Sequence, residues 1–179
     1  QEEPSASADD IDFGGAQVFN TFADIAQIAV GYHGIQRPRC AVLAWGFDLY
    51  VGLHGFSRYN TEADFQTIRA MATPDYVYSR LYADYQRALS HGWRFRTRVT
   101  GQVSNENLLP SETLGFGGFN SIRGYDMRQV NGDSGYILNM ELYTRPYRLG
   151  CTRLGSGNLT GVAFWDFGQA WAVHQAAAT

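Results

Sequence analysis

Lysine is absent from this chain of 179 residues: all fourteen basic side chains are arginine, set against 17 acidic ones, for a net charge of −3. An acidic balance leaves no overall positive field to hold phosphates, so nucleic acid is not expected as a partner. Cysteine is nearly absent too. Cys40 and Cys151 stand far apart in sequence and make neither a disulfide framework nor a metal motif. The four histidines, His33, His54, His91 and His174, lie at no metal-ligand spacing and are expected at turns and strand ends, so neither a metal nor a cofactor is expected. No run reaches eighteen apolar residues, which excludes a membrane-spanning helix but not a membrane β-barrel. The chain opens on Gln-Glu-Glu-Pro, without a methionine, a basic n-region or an apolar h-region, and reads as an internal fragment.

What is present is 45% hydrophobic and 15% aromatic with 20 glycines, a composition that is neither disordered nor collagen-like. Its informative signal is period two. From 41 to 53 every odd position is apolar (Ala41, Leu43, Trp45, Phe47, Leu49, Val51, Leu53), while Gly46, Asp48, Tyr50 and Gly52 fall on the other face. Such a stretch, at about 3.3 Å per residue and tilted about 40°, covers roughly the 25 Å of an apolar membrane band.

The pattern returns in 93–104, where Trp93, Phe95, Val99 and Val103 oppose a row of Arg94, Arg96 and Arg98. One arginine on the lipid face at mid-membrane costs about 2–4 kcal/mol, so three must face a wet interior or the strand lies in no membrane. The preceding stretch 76–89 sets Val77, Leu81, Ala83 and Leu89 against Tyr78, Arg80, Tyr82 and Asp84. Ser90-His91-Gly92 is a three-residue hairpin connection. If Leu89 pairs with Trp93, even numbers face even numbers across the hairpin, the two apolar faces coincide, and Arg98 stands opposite Asp84.

Further strands are expected at 17–33, 136–146 and 158–171, the first of them ambiguous because both of its faces carry polar residues, Asp24 on one, Gln27 and His33 on the other. Short connections (34–39, 90–92, 147–157) alternate with long ones (1–16, 56–74, 105–135), the asymmetry of an outer-membrane barrel. Alternation and loop length alone leave a soluble β-sandwich or ligand-binding barrel open, one that binds a hydrophobic ligand.

Two motifs are decoys. Gly132-Asp133-Ser134-Gly135 has Tyr136 where a serine-protease nucleophile loop would carry glycine, and no histidine stands in a general-base context. Gly115-Phe116-Gly117-Gly118-Phe119-Asn120 nearly makes a dinucleotide-binding glycine pattern, but Asn120 breaks it and no helix pattern follows. No catalytic residue is assigned.

Between 101 and 147 the residues are more specific. Gly101-Gln102, then Leu108-Leu109-Pro110-Ser111-Glu112, then Gly117-Gly118-Phe119-Asn120-Ser121-Ile122-Arg123-Gly124-Tyr125, then Gly132-Asp133-x-Gly135 and Asn139-x-Glu141-Leu142, resemble the lid-loop region of the two-partner secretion transporters. These outer-membrane pores export haemolysin- and haemagglutinin-type proteins and belong to the BamA/TamA barrel superfamily. Phe164-x-Asp166-x-Gly168 is similar to a further motif of that superfamily.

The resemblance implies an all-β, transmembrane, antiparallel up-and-down β-barrel. This chain would be its middle-to-late part, with about six strands and a lid loop near 105–135, while the POTRA domains and the terminal strands would be missing. It implies a monomeric, non-enzymatic pore in the bacterial outer membrane. The expected partners are an unfolded exoprotein cargo and membrane lipid. An insertase of the same superfamily is the alternative, against which the short 130–135 connection argues. In the lid, Gly117, Gly118 and Gly124 would turn the chain tightly, Tyr125 would wedge and Arg123 would meet Asp166, held between Phe164 and Gly168. Ser121 and Ile122 complete that lid motif. Arg80, Asp84, Arg94, Arg96, Arg98 and Glu141 would line the lumen. Loops 56–74 and 105–135 would then face the cell surface, with the short turns periplasmic.

Overall fold

A computed structural model describes residues 22–152 and 155–174, together with two short paired strands, β1 (Asp12–Phe13) and β2 (Ala16–Gln17). In chain order there follow β3 (Gln27–Gln36), β4 (Ala41–Gly52), helix α1 (Glu62–Ile68), β5 (Val77–Ala88), a single 3₁₀ turn at Ser90–Gly92 and β6 (Arg94–Ser104). Next are β7 (Leu114–Phe116), β8 (Val130–Gly132), β9 (Ser134–Tyr143), β10 (Tyr147–Thr152), β11 (Gly155–Leu159) and β12 (Val162–Trp171). Six of the strands form one antiparallel sheet in the order β12-β9-β6-β5-β4-β3, each long strand beside the next in sequence.

The register follows the side-chain parity. Tyr78 stands opposite Ser104 and Asp84 opposite Arg98, and the Leu89 N–H donates to the Trp93 carbonyl at 2.8 Å to close the hairpin. The ambiguity of the first strand is settled by pairing: Tyr32 opposes Phe47 and Gly31 opposes Asp48, so Ile28, Val30 and Tyr32 join the apolar face. On that face Ile28, Val30, Tyr32, Phe47, Leu81, Val103, Trp165 and Phe167 remain exposed. A sheet face this apolar is built to meet something other than water.

Several expectations need correction. The first strand is β3, 27–36 rather than 17–33, and its turn shrinks to residues 37–40. Residues 147–157 are not a plain turn: β10 and β11 pair through Tyr147 and Leu159 and prolong the β9–β12 connection as a second hairpin. The last two wall strands are accordingly 134–143 and 162–171. His33 is not at a strand end but within β3, its Nε2 2.9 Å from Asp48 Oδ1 on the polar face.

The buried side chains gather where the long loops meet the sheet. Phe65, Ala72, Tyr76, Tyr78, Leu108 and Leu109 form one cluster, which joins loop 53–76 to the start of loop 105–133. Helix α1 is nucleated by Thr61, whose hydroxyl accepts the Asp64 N–H, and it places Phe65 in this cluster. A second cluster, Leu114, Phe116 and Ile137 with Ile122 and Ala170 against it, seats loop 105–133 on the polar face of β9 and β12. No described helix is long and apolar enough to cross a membrane.

Candidate functional site

Loop 105–133 folds back over the sheet instead of standing away from it. Positive φ at Gly117 (105°), Gly118 (92°) and Gly124 (91°) gives it the tight turns that residues with a Cβ rarely adopt. The β7–β8 hairpin pairs Leu114 with Gly132 and Phe116 with Val130, and its Phe116 ring sits where the wall has no side chains. A Cβ on Gly168 would lie 3.0 Å from that ring and 2.9 Å from Ile122 Cδ1, and one on Gly135 would lie 2.8 Å from Phe116 Cζ. Two bare positions on adjacent strands thus form a socket for one aromatic side chain. Within the loop, Ser121 Oγ donates to the Gly117 carbonyl at 2.7 Å and the Gly118 N–H to the Tyr125 carbonyl at 3.0 Å. The packing expected of Tyr125 is supplied by Ile122; Tyr125 itself is 63% exposed, beside a cavity of about 290 Å³ between the loop and β12.

Arg123 is the centre of the arrangement. Its Nε and Nη2 both donate to the Asp166 carboxylate at 2.7 Å, its backbone N–H donates to Asp166 Oδ2 at 3.0 Å, and its Nη1 donates to Glu141 Oε1 at 2.7 Å. The guanidinium carbon lies 3.8 Å from the Phe164 ring centre, a cation–π contact. Asn139 completes the bracket, giving its amide to Asp166 Oδ1 at 2.8 Å and to the Ser121 carbonyl. Tyr143 donates to the other Glu141 oxygen at 2.6 Å. The side chains of Asp166 and Glu141 are only 4% and 6% exposed. Hydrogen bonding to Asp166, opposed by burial, holds the Arg123 guanidinium well above its ordinary value. A raised value keeps the charge as pH rises, so the tie persists through the alkaline range.

Most of the wall cations along β5 and β6 are shared out. Arg96 is clamped by Asp84, Nε to Oδ1 at 3.0 Å and Nη2 to Oδ2 at 2.5 Å, so Asp84 takes the diagonal arginine and not Arg98 directly opposite. Arg94 stacks on Tyr143 at 4.3 Å. Arg80 lies under the loop, bonded to Gln102 Oε1 at 2.6 Å and the Glu112 carbonyl at 2.8 Å, rather than standing free on the wall.

A second clamp was not visible in the sequence. Asp133, fully buried, receives Arg69 Nη1 at 2.5 Å and Nη2 at 2.8 Å, the Leu108 N–H at 2.9 Å and the Val173 N–H at 3.2 Å. One carboxylate therefore fastens loop 53–76, loop 105–133 and the chain after β12. This is the structural use of the Gly-Asp pair that mimics a nucleophile loop. Glu112, which stands in the lid-region resemblance without an assigned role, accepts from the Tyr78 hydroxyl. The signal for Asn139 was available, since it shares the Ile137–Glu141 face; nothing marked Arg69, which is 64 residues from its partner. Cys40 is free and exposed, and the Cys151 side chain falls outside the described residues. Among the described residues no group of His, Cys, Asp and Glu is placed to hold a metal ion.

A buried arginine tie from a folded-in loop to a barrel-type wall can be compared with known proteins. No curated protein matches the chain. Its structure is similar to that of CdiB from Escherichia coli, with a TM-score of 0.61 at 18% identity, over 87% of this chain and 32% of that one. The chain thus spans about a third of that protein's length, and its open six-stranded sheet has the fold of part of that protein's β-barrel. The family model for the haemolysin secretion/activation proteins ShlB/FhaC/HecB matches residues 15–179, and the chain belongs to that family of Gram-negative outer-membrane, two-partner secretion transporters.

Proposed function

We propose that this chain is the middle-to-late wall and the lid of a pore through which an unfolded exoprotein crosses the outer membrane. In the whole protein the apolar face would meet lipid and the arginine-bearing face would line the lumen. POTRA domains would receive the cargo on the periplasmic side, and the pore would act as a monomer. No covalent step is involved; the work of the wall is to stay wet and to hold or release the lid.

The observation that carries this reading is the seat of loop 105–133. It lies on the polar face, tied by Arg123 to Asp166 and Glu141, where it would obstruct a lumen. A loop that merely decorated the cell surface would have no reason to bury an arginine against two wall carboxylates. Photo-crosslinking tests the reading. In the full-length protein carrying a stalled cargo, a crosslinker at Tyr82 or Arg94 on the polar face should capture the cargo, and one at Leu49 on the apolar face should not. Equal capture from both faces would contradict it.

A further inference from the structure

Arg98 is the one arginine of β6 that the fold leaves uncommitted. Arg96 is held by Asp84 and Arg94 rests on Tyr143, but Arg98 Nε is buried without a hydrogen-bond partner among the described residues. Its Nη2 lies 3.8 Å from Glu141 Oε1, too far for a hydrogen bond. That same oxygen is taken by Arg123 Nη1 at 2.7 Å. Two guanidinium groups thus point at one oxygen. One belongs to the loop, the other to the wall.

We propose that Arg98 is the stand-by partner of Glu141, receiving the carboxylate that Arg123 vacates when the lid leaves its seat. The proposal rests on the reading of loop 105–133 as a releasable lid. Register supports the exchange: Arg98 pairs with Asn139 across β6 and β9, so Glu141 is its diagonal neighbour on the same face, and the wall need not move. Closing the gap from 3.8 Å takes a side-chain shift of about 1 Å to reach charge-assisted hydrogen-bond distance. Without a receiver, lid departure would leave Glu141 with Tyr143 as its one hydrogen-bond donor among the described residues, because Arg96, opposite it in register, is already held by Asp84. With Arg98 in place, one ion pair is exchanged for another, and the docked and released states are brought closer in free energy. Among the described residues Asp166 has no such second cation, so it remains the determinant of docking while Glu141 acts as the transferable contact. Arg98 is in this sense a positioning residue for Glu141.

The test is a set of coupled substitutions in the full-length, detergent-solubilised protein, read as the midpoint of heat-induced unfolding on gels and as unfolding equilibria in denaturant. Arg98→Gln should change little while Arg123 is present. In an Arg123→Ala background, which forces the released state, it should cost about fivefold more in the unfolding equilibrium, the scale of a partly exposed ion pair. Arg123→Met serves the same purpose should Arg123→Ala fail to assemble. Arg98→Lys should restore part of the loss, and adding Glu141→Gln should abolish the coupling. Equal cost of Arg98→Gln in both backgrounds, or coupling that survives Glu141→Gln, would overturn the proposal. Spin labels at positions 126 and 91 report the lid itself: Arg98→Gln should shift it about fivefold toward the docked distance. A single distance in every variant, with the coupling intact, would show that Arg98 pairs with Glu141 without lid release and would overturn the exchange.

Discussion

Arg123 reaches Asp166 by three separate donors, its backbone N–H, Nε and Nη2, so that both carboxylate oxygens are engaged by one residue. The backbone contribution fixes the loop main chain, and the two side-chain bonds fix the guanidinium. Asp166 therefore senses the position of the loop as well as its charge.

Because the two residues act as one unit, Arg123→Ala and Asp166→Ala should each leave the barrel folded while unseating the loop, and the double substitution should be little worse than either single one. Breaking a fully buried pair costs about 3–5 kcal/mol, and a water-filled lumen lowers that to about 3 kcal/mol or less. Cargo export from the full-length protein, measured for both singles and the double, checks this. Additive losses, or full export from Arg123→Ala, would separate the two residues.

Gly168→Val probes the same seat without touching a charge. Its new Cβ would fall 2.9 Å from Ile122 and 3.0 Å from Phe116, so the loop must lift or the ring must leave its socket. A cost of about 1–3 kcal/mol is expected for such overpacking, partly relieved by Phe116→Ala. Limited proteolysis between 117 and 129 should become faster in Gly168→Val; an unchanged rate would show that the socket is not needed to hold the loop.

Removing Arg69 strips Asp133 of its cationic partner while leaving the acid fully buried. Arg69→Ala is therefore expected to cost about 3 kcal/mol, at the lower end for broken buried pairs because the Arg69 side chain is partly exposed. Both long loops should loosen together, visible as parallel loss of amide-exchange protection in 60–72 and 105–113. Loosening confined to the first loop would argue against a shared clamp.

The arrangement of loops also predicts sidedness. In a background without native cysteines, built with Cys40→Gly because Cys40 has a φ of 60° that glycine adopts freely, single cysteines at Phe56 and Asp126 should react with an impermeant thiol reagent on intact cells. A cysteine at His91, in the 3₁₀ turn, should not. Labelling at 91 would invert the topology.

The wall was legible because period-two alternation is a local signal: once Leu89 was set against Trp93, the whole β5–β6 register followed, down to Asp84 opposite Arg98. What register could not supply was the diagonal choice of Asp84 for Arg96, which depends on side-chain reach. The Arg123–Asp166 tie was readable through the family motif together with the parity that put Asp166 on the polar face. The β3 boundary was lost because Asp24, which made the even face look mixed, precedes the strand and accepts from the Ser57 hydroxyl of loop 53–76 instead. The tie between Arg69 and Asp133 was lost for a different reason. Their contact is neither periodic nor local, and a lone arginine after a short helix carries no mark of its destination.

That long separation gives the chain a schedule. The contact between Arg69 and Asp133 closes a loop of 64 residues that contains β5, β6 and loop 105–133, so loop 53–76 is fastened only after those strands are paired. The cluster of Phe65, Ala72, Tyr76 and Tyr78 is completed by Leu108 and Leu109, from the beginning of the second loop. Closure of this end of the sheet is thus a late event that reports completion of the wall. A protein lacking the Asp133 carboxylate would carry a loosened, protease-sensitive first loop on an otherwise paired set of strands.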